Sequence, residues 1–176
     1  MPHKWTFTIH PIKGLLKDEM QEGKWCDPFS GSSILCAIRN DISPSSPSQH
    51  HMDALEFLRQ RATGEFDGVL FDPPYSFTQA KEHYKESSKS FGNSAMKYWS
   101  NVKNEIARIT KDGGKVICFG WNSMGLGAKR GFEMYRILLV PHGGSRNDTI
   151  VTCERKLPSP IVTGKQIGRA SCRERV

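Results

Sequence analysis

Short apolar runs and amphipathic stretches take turns along the middle of this chain, from about residue 24 to 156. Residues 24–29 read as a first strand ending in a turn. Residues 32–38 are expected to hold a short helix and a second short strand, closing at Arg39-Asn40-Asp41. The Ser/Pro run at 43–48 is a loop by composition. Residues 53–61 form a short helix, with Asp53 at its N-cap and Glu56 three positions later. The apolar run 66–71 is a buried strand that stops at Asp72-Pro73-Pro74-Tyr75. Tyr98, Val102, Ile106 and Ile109 recur at helical spacing, and Asp112-Gly113-Gly114 is expected to close that helix. Residues 115–121 are a central strand, and 135–141 with 148–154 a final pair forming a hairpin at one sheet edge. The alternation predicts an α/β fold on a mostly parallel sheet, with a ligand at the carboxyl ends of its strands.

A chain of 176 residues suits one domain, since a single core serves about 100–200 residues. No apolar run reaches the roughly 18 residues that span a bilayer, and the first ten residues lack the apolar segment of a signal peptide. The expectation is a soluble, cytoplasmic protein with no membrane partner. Cysteines at 26, 36, 118, 153 and 172 form no CxxC pair and read as small buried hydrophobes.

The end of the chain changes the charge. Residues 167–176 match, residue for residue, the translation of a common short-read sequencing adapter, and are expected to be an artefact. Residues 158–166 read as a polar tail, which leaves 1–157 as a single catalytic domain. The formal charge of +7 includes Arg169, Arg173 and Arg175 against Glu174, so the remainder carries +5. That is too modest to identify a nucleic-acid binder by electrostatics.

Two turns stand where the parallel sheet would present a ligand. In Asp72-Pro73-Pro74-Tyr75 the prolines hold the backbone extended and remove two N–H donors, leaving carbonyls free to accept. A carboxylate followed by such carbonyls is an acceptor-only site suited to an exocyclic amine, which offers two donors. Tyr75 can stack on the ring that bears the amine. Such a tetrad arises by chance in under about one per cent of chains this long. The other turn, Asp27-Pro28-Phe29-Ser30-Gly31-Ser32-Ser33, places a glycine after a strand, where the backbone can approach a ligand closely.

Together, in the order cofactor turn then tetrad, these motifs resemble the S-adenosylmethionine-dependent amino-methyltransferases of DNA, which act on adenine N6 or cytosine N4. The run Phe119-Gly120-Trp121-Asn122-Ser123 and the segment 147–152 are similar to small phage and environmental adenine methylases. The resemblance covers about residues 10 to 156 and departs at Ser33, where the family's pattern has a second glycine. It implies a Rossmann-like methyltransferase fold, a mostly parallel sheet with an antiparallel edge hairpin, and a prokaryotic or phage setting. It implies that Asp27, Phe29 and Gly31 hold the methionine portion of the cofactor. Asp41 would accept the ribose hydroxyls, and Asp53 with Ala54 the cofactor's adenine. Asp41 is also readable as a turn residue, and Asp53 as a helix cap.

The implied reaction is methyl transfer to the amine of a flipped base, with Asp72 and the Pro73 carbonyl accepting its hydrogens, Pro74 holding the turn, and Tyr75 and Phe77 stacking. Lys81, Lys85 and Lys89, spaced four apart, would contact phosphates or form a solvated face. So short a chain leaves little room for a recognition domain, which implies relaxed specificity or a second subunit. No histidine or cysteine spacing supports a metal site. The alternatives are a methyltransferase of a base amine in RNA, a catalytically inactive nucleic-acid-binding module, and a protein glutamine methylase.

Overall fold

The computed structural model describes residues 6–74, 94–144 and 147–158. Its strands are β1 (Trp25–Asp27), β2 (Ile38–Arg39), β3 (Phe66–Phe71), β4 (Thr110–Gly120), β5 (Phe132–Val140) and β6 (Thr149–Lys156). They form one sheet in the order β2-β1-β3-β4-β6-β5. The first four run parallel to one another, while β6 lies between β4 and β5, antiparallel to both. The predicted edge hairpin is therefore present, with its last strand inserted inward.

The period-two alternation of the strands decides which side chains serve which face. Val69 and Phe71 of β3, with Val116 and Cys118 of β4, pack under α2 (Ala54–Arg59) and α3 (Ser94–Ile109). Phe57 and Leu58 of α2 complete that layer with Val102, Ile106 and Ile109 of α3, the last three at the helical spacing that predicted them. Leu70, Ile117 and Phe119 point the other way, with Val151 and Cys153 of β6. They are covered by Ile12, Leu15 and Leu16 of α1 (His10–Glu19), a helix the sequence reading did not anticipate. The described cysteines, Cys26, Cys36, Cys118 and Cys153, are free and buried, and burial pushes their thiols upward.

Two expectations fail. No helix lies between β1 and β2: residues 28–37 turn and cross back as loop. A crossover between parallel strands normally takes a dozen or more residues when it carries a helix, and this one turns at once through the Ser33 N–H to Ser30 carbonyl bond (2.8 Å). Nor does Asp112-Gly113-Gly114 close α3. The helix ends at Ile109 and the chain enters β4 directly, with those residues in a bulge where the register jumps from Phe66–Thr110 to Gly68–Lys115. Gly113 adopts a φ of +78° there, which a glycine supplies without strain.

Between β4 and β5 the connection is a loop with a single 3₁₀ turn (Ala128–Arg130). Glu154 of β6, buried beneath this loop, accepts the N–H groups of Leu126 (2.6 Å) and Gly127 (2.9 Å). Lys103 of α3 donates to the Gly125 carbonyl (2.6 Å). A Cβ on Gly125 would run into the Glu154 carboxylate. So fixed, the loop drops Leu126 into the core.

Candidate active site

The chain leaves β1 for β2 on one side, while β3 flanks β1 on the other. The carboxyl ends of β1 and β3 thus border the switch point where open α/β sheets take ligands. Three aspartates stand there: Asp27 ends β1, Asp41 follows β2, and Asp72 follows β3.

Asp27 is fully buried, and Asp72 nearly so. The Asp27 Oδ1 accepts the Phe29 N–H at 3.0 Å, but Oδ2 has no hydrogen-bond partner among the described residues. Burial pushes this carboxyl up to about 8, and the negative charges of Asp72 and Asp41 add to it. The Phe29 N–H and Arg39 oppose the rise. A buried acceptor without a donor is costly, so Oδ2 is the atom in this region most in need of a ligand's N–H or of its own proton.

Asp41 joins two turns. Its Oδ2 accepts the N–H of Gly31 and its Oδ1 that of Ser43, each at 2.8 Å. Gly31 has a φ of +53°, the left-handed conformation that favours glycine. Ser33, where a second glycine was expected, caps a turn by accepting the Leu35 N–H at 3.3 Å.

Asn40, which the sequence reading passed over, is the tie among three segments. Its backbone N–H donates to the Asp27 carbonyl at 2.9 Å. Its Nδ2 donates to the carbonyls of Pro28 (3.2 Å) and Met52 (3.0 Å), and its Oδ1 accepts the Met52 N–H (3.2 Å). A fully buried carboxamide with both ends used positions the β1 turn, the β2 end and the entry to α2. Its sequence signal was slight, an amide directly before the strand-terminal acid.

Asp53 caps α2 through Oδ1, which accepts from Leu55 (2.9 Å) and Glu56 (3.1 Å). Its Oδ2 accepts the hydroxyl of Tyr98 at 2.8 Å, a cross-link from α3 that helical spacing did not reveal. Ala54 is buried in the first turn of α2. The Phe29 ring lies 5.9 Å from both Phe71 and Trp99, which sets the far wall of the β1 turn.

The structure thus brings together Asp27, Phe29, Gly31, Asp41, Asp53, Ala54, Asp72, Pro73 and Pro74 at one end of the sheet. Tyr75, Phe77, Lys81, Lys85 and Lys89 lie outside the described residues. Among the described residues no group of His, Cys, Asp and Glu is arranged to hold a metal, and no helix is long and apolar enough to cross a membrane. His51 Nδ1 pairs with the Ser43 carbonyl (2.9 Å) and His142 Nε2 with the Thr149 hydroxyl (2.8 Å).

No protein-family model and no curated protein sequence matches the chain. Solved structures do. The PH0226 protein of Pyrococcus horikoshii OT3 is 16% identical over 88% of this chain and 92% of its own, with a TM-score of 0.58. The 1,6-didemethyltoxoflavin-N1-methyltransferase of Burkholderia thailandensis, solved with 1,6-didemethyltoxoflavin and S-adenosylhomocysteine, is 13% identical over 89% and 82%, at 0.59. The N-methyltransferase NodS of Bradyrhizobium japonicum WM9 is 11% identical over 87% and 98%, at 0.55. At these identities the likeness is one of fold, and the fold is a Rossmann-like α/β sheet, mostly parallel with an antiparallel edge.

Proposed function

We propose that the protein is an S-adenosylmethionine-dependent methyltransferase that modifies the exocyclic amine of a flipped base in DNA, adenine N6 in the first instance. The observation that carries the reading is the placement of Asp72-Pro73-Pro74 directly after β3, beside Asp27 across the switch point of the sheet.

The residues present fit the cofactor by the chemistry of their donor set. A buried, unpartnered carboxylate oxygen on Asp27, the Asp41 carboxylate and the Asp53 cap form an acceptor-rich surface. S-adenosylmethionine offers it an ammonium, two ribose hydroxyls and an adenine amine. Bound, that cofactor would supply an electrophilic methyl group, its carbon–sulfur bond breaking so that the sulfur keeps the electron pair as a neutral thioether. Asp27 takes the methionine portion, with Phe29 and Gly31 shaping the turn; Asp41 takes the ribose; Asp53 and Ala54 border the adenine.

On the substrate side, the target amine is conjugated with its ring and nucleophilically weak. Asp72 and the Pro73 carbonyl accept its two hydrogens, which orients the nitrogen lone pair toward the methyl. Pro73 and Pro74 contribute no competing N–H. As nitrogen becomes positive, the carboxylate stabilises it more than it stabilised the neutral amine. One N–H proton then passes to Asp72 and on to water. The base reaches these acceptors only outside the helix stack. Tyr75 and Phe77 receive its ring, the three lysines hold phosphates, and a second subunit assists in choosing the target.

The test is incubation with labelled S-adenosylmethionine and duplex DNA, single-stranded DNA or RNA, followed by nucleoside analysis. N6-methyladenine from DNA is expected. Label in RNA alone moves the assignment to RNA, and label in none leaves a binding module. Asp72→Ala is expected to retain cofactor affinity while losing methyl transfer; retained transfer would sink the assignment.

A further inference from the structure

Strand β5 pairs on one side with β6 and ends the strand order on the other. Among the described residues, no backbone group bonds to the outer edge of Arg136–Val140. A row of unpaired N–H and C=O groups is a template for another strand, and folds usually blunt it with charge, proline or a bulge. Here those devices stand at the two ends and leave the middle bare. A bulge between Met134 and Arg136 throws Tyr135 out of register. Pro141, directly after β5, has no N–H to donate. Between them lie five regular residues, Arg136-Ile137-Leu138-Leu139-Val140, matched in turn with residues 153 to 149 of β6.

The side chains of this stretch are apolar or compensated. Its one charge, Arg136, meets Asp18 at 3.4 Å and Glu19 at 3.2 Å on α1. Leu138 lies beside Val151 and packs against the α1 cluster. Ile137 and Leu139 face the opposite side, by the period of two. Ile137 there stands beside Thr152, which in turn pairs with Cys118 of the α2–α3 layer. That layer leaves Ile137 56% and Leu139 57% exposed. Single exposed hydrophobics need no explanation, but these two sit side by side on a strand whose backbone is also unpaired.

We propose that β5 pairs with β5 of a second copy of this chain, antiparallel about a twofold axis at Leu138, merging two six-stranded sheets into one. A twofold contact must be self-complementary, and this register is. Ile137 falls opposite Leu139 of the second copy, and Leu139 opposite its Ile137, so both exposed apolar side chains gain cross-strand partners. Leu138 meets its own copy, and Arg136 lies opposite Val140, so no like charges meet. Centring the axis on Arg136 would set two guanidinium groups face to face, which is destabilising. Centring it on Ile137 would draw the bulged Tyr135 into the ladder. With the axis at Leu138, the bulge of each copy stands opposite Pro141 of the other, and pairing stops where neither can extend it. Strands β6 and β4 separate this junction from β3, so the inference is independent of the substrate reading and leaves the candidate active site untouched. Five residues a side is well under the roughly 20–30 of a stable interface, so the dimer dissociates on dilution.

The experiment is sedimentation velocity of the full chain at about 2 and about 200 μM, with Tm measured for each variant. Wild type is expected to be a monomer at the lower concentration and a dimer at the higher. Ile137→Lys and Leu139→Lys are expected to be monomers at both, and the milder Ile137→Thr to associate about tenfold more weakly. Ile34→Lys, on the crossover loop where Ile34 is 72% exposed, is expected to dimerise as wild type does. Oxidative cross-linking reads the register, with Cys172, outside the described residues, replaced by serine. Opposed Cα atoms on antiparallel strands lie about 4.5–5.5 Å apart, within reach of a disulfide, so Leu138→Cys is expected to cross-link. Ile137→Cys is expected not to, because its own copy lies diagonally across at about 7–8 Å. A wild type that stays monomeric at the higher concentration overturns the inference. So does a dimer that survives both lysine variants, one that Ile34→Lys abolishes, or cross-linking at 137 in preference to 138.

Discussion

Replacing Asp27 by asparagine tests the electrostatics of the site in the protein alone. In the fold the Asp27 carboxyl keeps its proton up to about pH 8, because it is buried and faces the charges of Asp72 and Asp41. In the unfolded chain it ionises near the usual 3.8. Between these values the native state holds a proton that the unfolded state has released. Stability from this group is therefore complete below about pH 4, falls as pH rises, and levels off above about pH 8. Each pH unit in that window is worth about 1.4 kcal/mol, so the loss by pH 7 is about 4 kcal/mol. An asparagine side chain cannot titrate, and it keeps an oxygen for the Phe29 N–H that Asp27 Oδ1 now accepts. Urea denaturation of wild type and Asp27→Asn without ligand, from pH 4 to 9, reads the effect, because titrations remote from Asp27 cancel in the difference. The Asp27→Asn variant is expected to match wild type near pH 4 and to be more stable by about 4 kcal/mol at pH 7. A difference that stays flat with pH would mean that Asp27 does not change its proton count on folding, and would remove the account of its buried oxygen.

Other substitutions read the scaffold around that oxygen. Asn40→Ala strands the Met52 N–H and the carbonyls of Pro28 and Met52; a loss of about 2–4 kcal/mol in chemical denaturation is expected, together with weaker cofactor binding. Glu154→Gln leaves one of the Leu126 and Gly127 N–H groups facing an amide NH₂; about 1–3 kcal/mol is expected to be lost, with faster hydrogen exchange at those two amides. Tyr98→Phe removes one donor to Asp53 but leaves the helix cap intact, so about 1–2 kcal/mol is expected, with the helical circular-dichroism signal unchanged.

Local chemistry was legible in the sequence, and long-range burial was not. Strand β3 and both motif turns were readable because apolar runs, prolines and glycine act over a few residues. Helix α1 escaped because Ile12, Leu15 and Leu16 gain their meaning only against Trp25, Leu70 and Ile117, which the chain brings to them by folding. The opposite error came from Ile34 and Leu35, whose apolar character predicted a helix; they are 72% and 50% exposed on a crossover loop. Gly113-Gly114 imitates a helix stop, yet the positive φ of Gly113 serves a bulge. No pattern in the sequence could show that the Asp27 Oδ2 is left without a donor, since that depends on which groups other segments bring to it.

The missing helix between β1 and β2 has a consequence for what this end of the sheet can bind. A helix beginning after the β1 turn would offer unpaired N–H groups and a positive dipole end, which favour anions. Here the Gly31 N–H is already given to Asp41, and the Ser33 N–H to the Ser30 carbonyl. What faces the ligand is a set of carboxylates on one strand end after another, followed by the N–H-free turn of Pro73 and Pro74. Such a surface repels phosphate and accepts donors and cations. Crowding Asp27, Asp41 and Asp72 is unfavourable in the protein alone, and the proton retained by Asp27 limits the cost. A ligand carrying positive charge would displace that proton and turn the same crowding into attraction. Under the proposed function both partners meet this condition, the cofactor through its sulfonium and ammonium groups and the target amine as it becomes positive on methylation. One acceptor-rich strand edge would then serve both halves of the reaction.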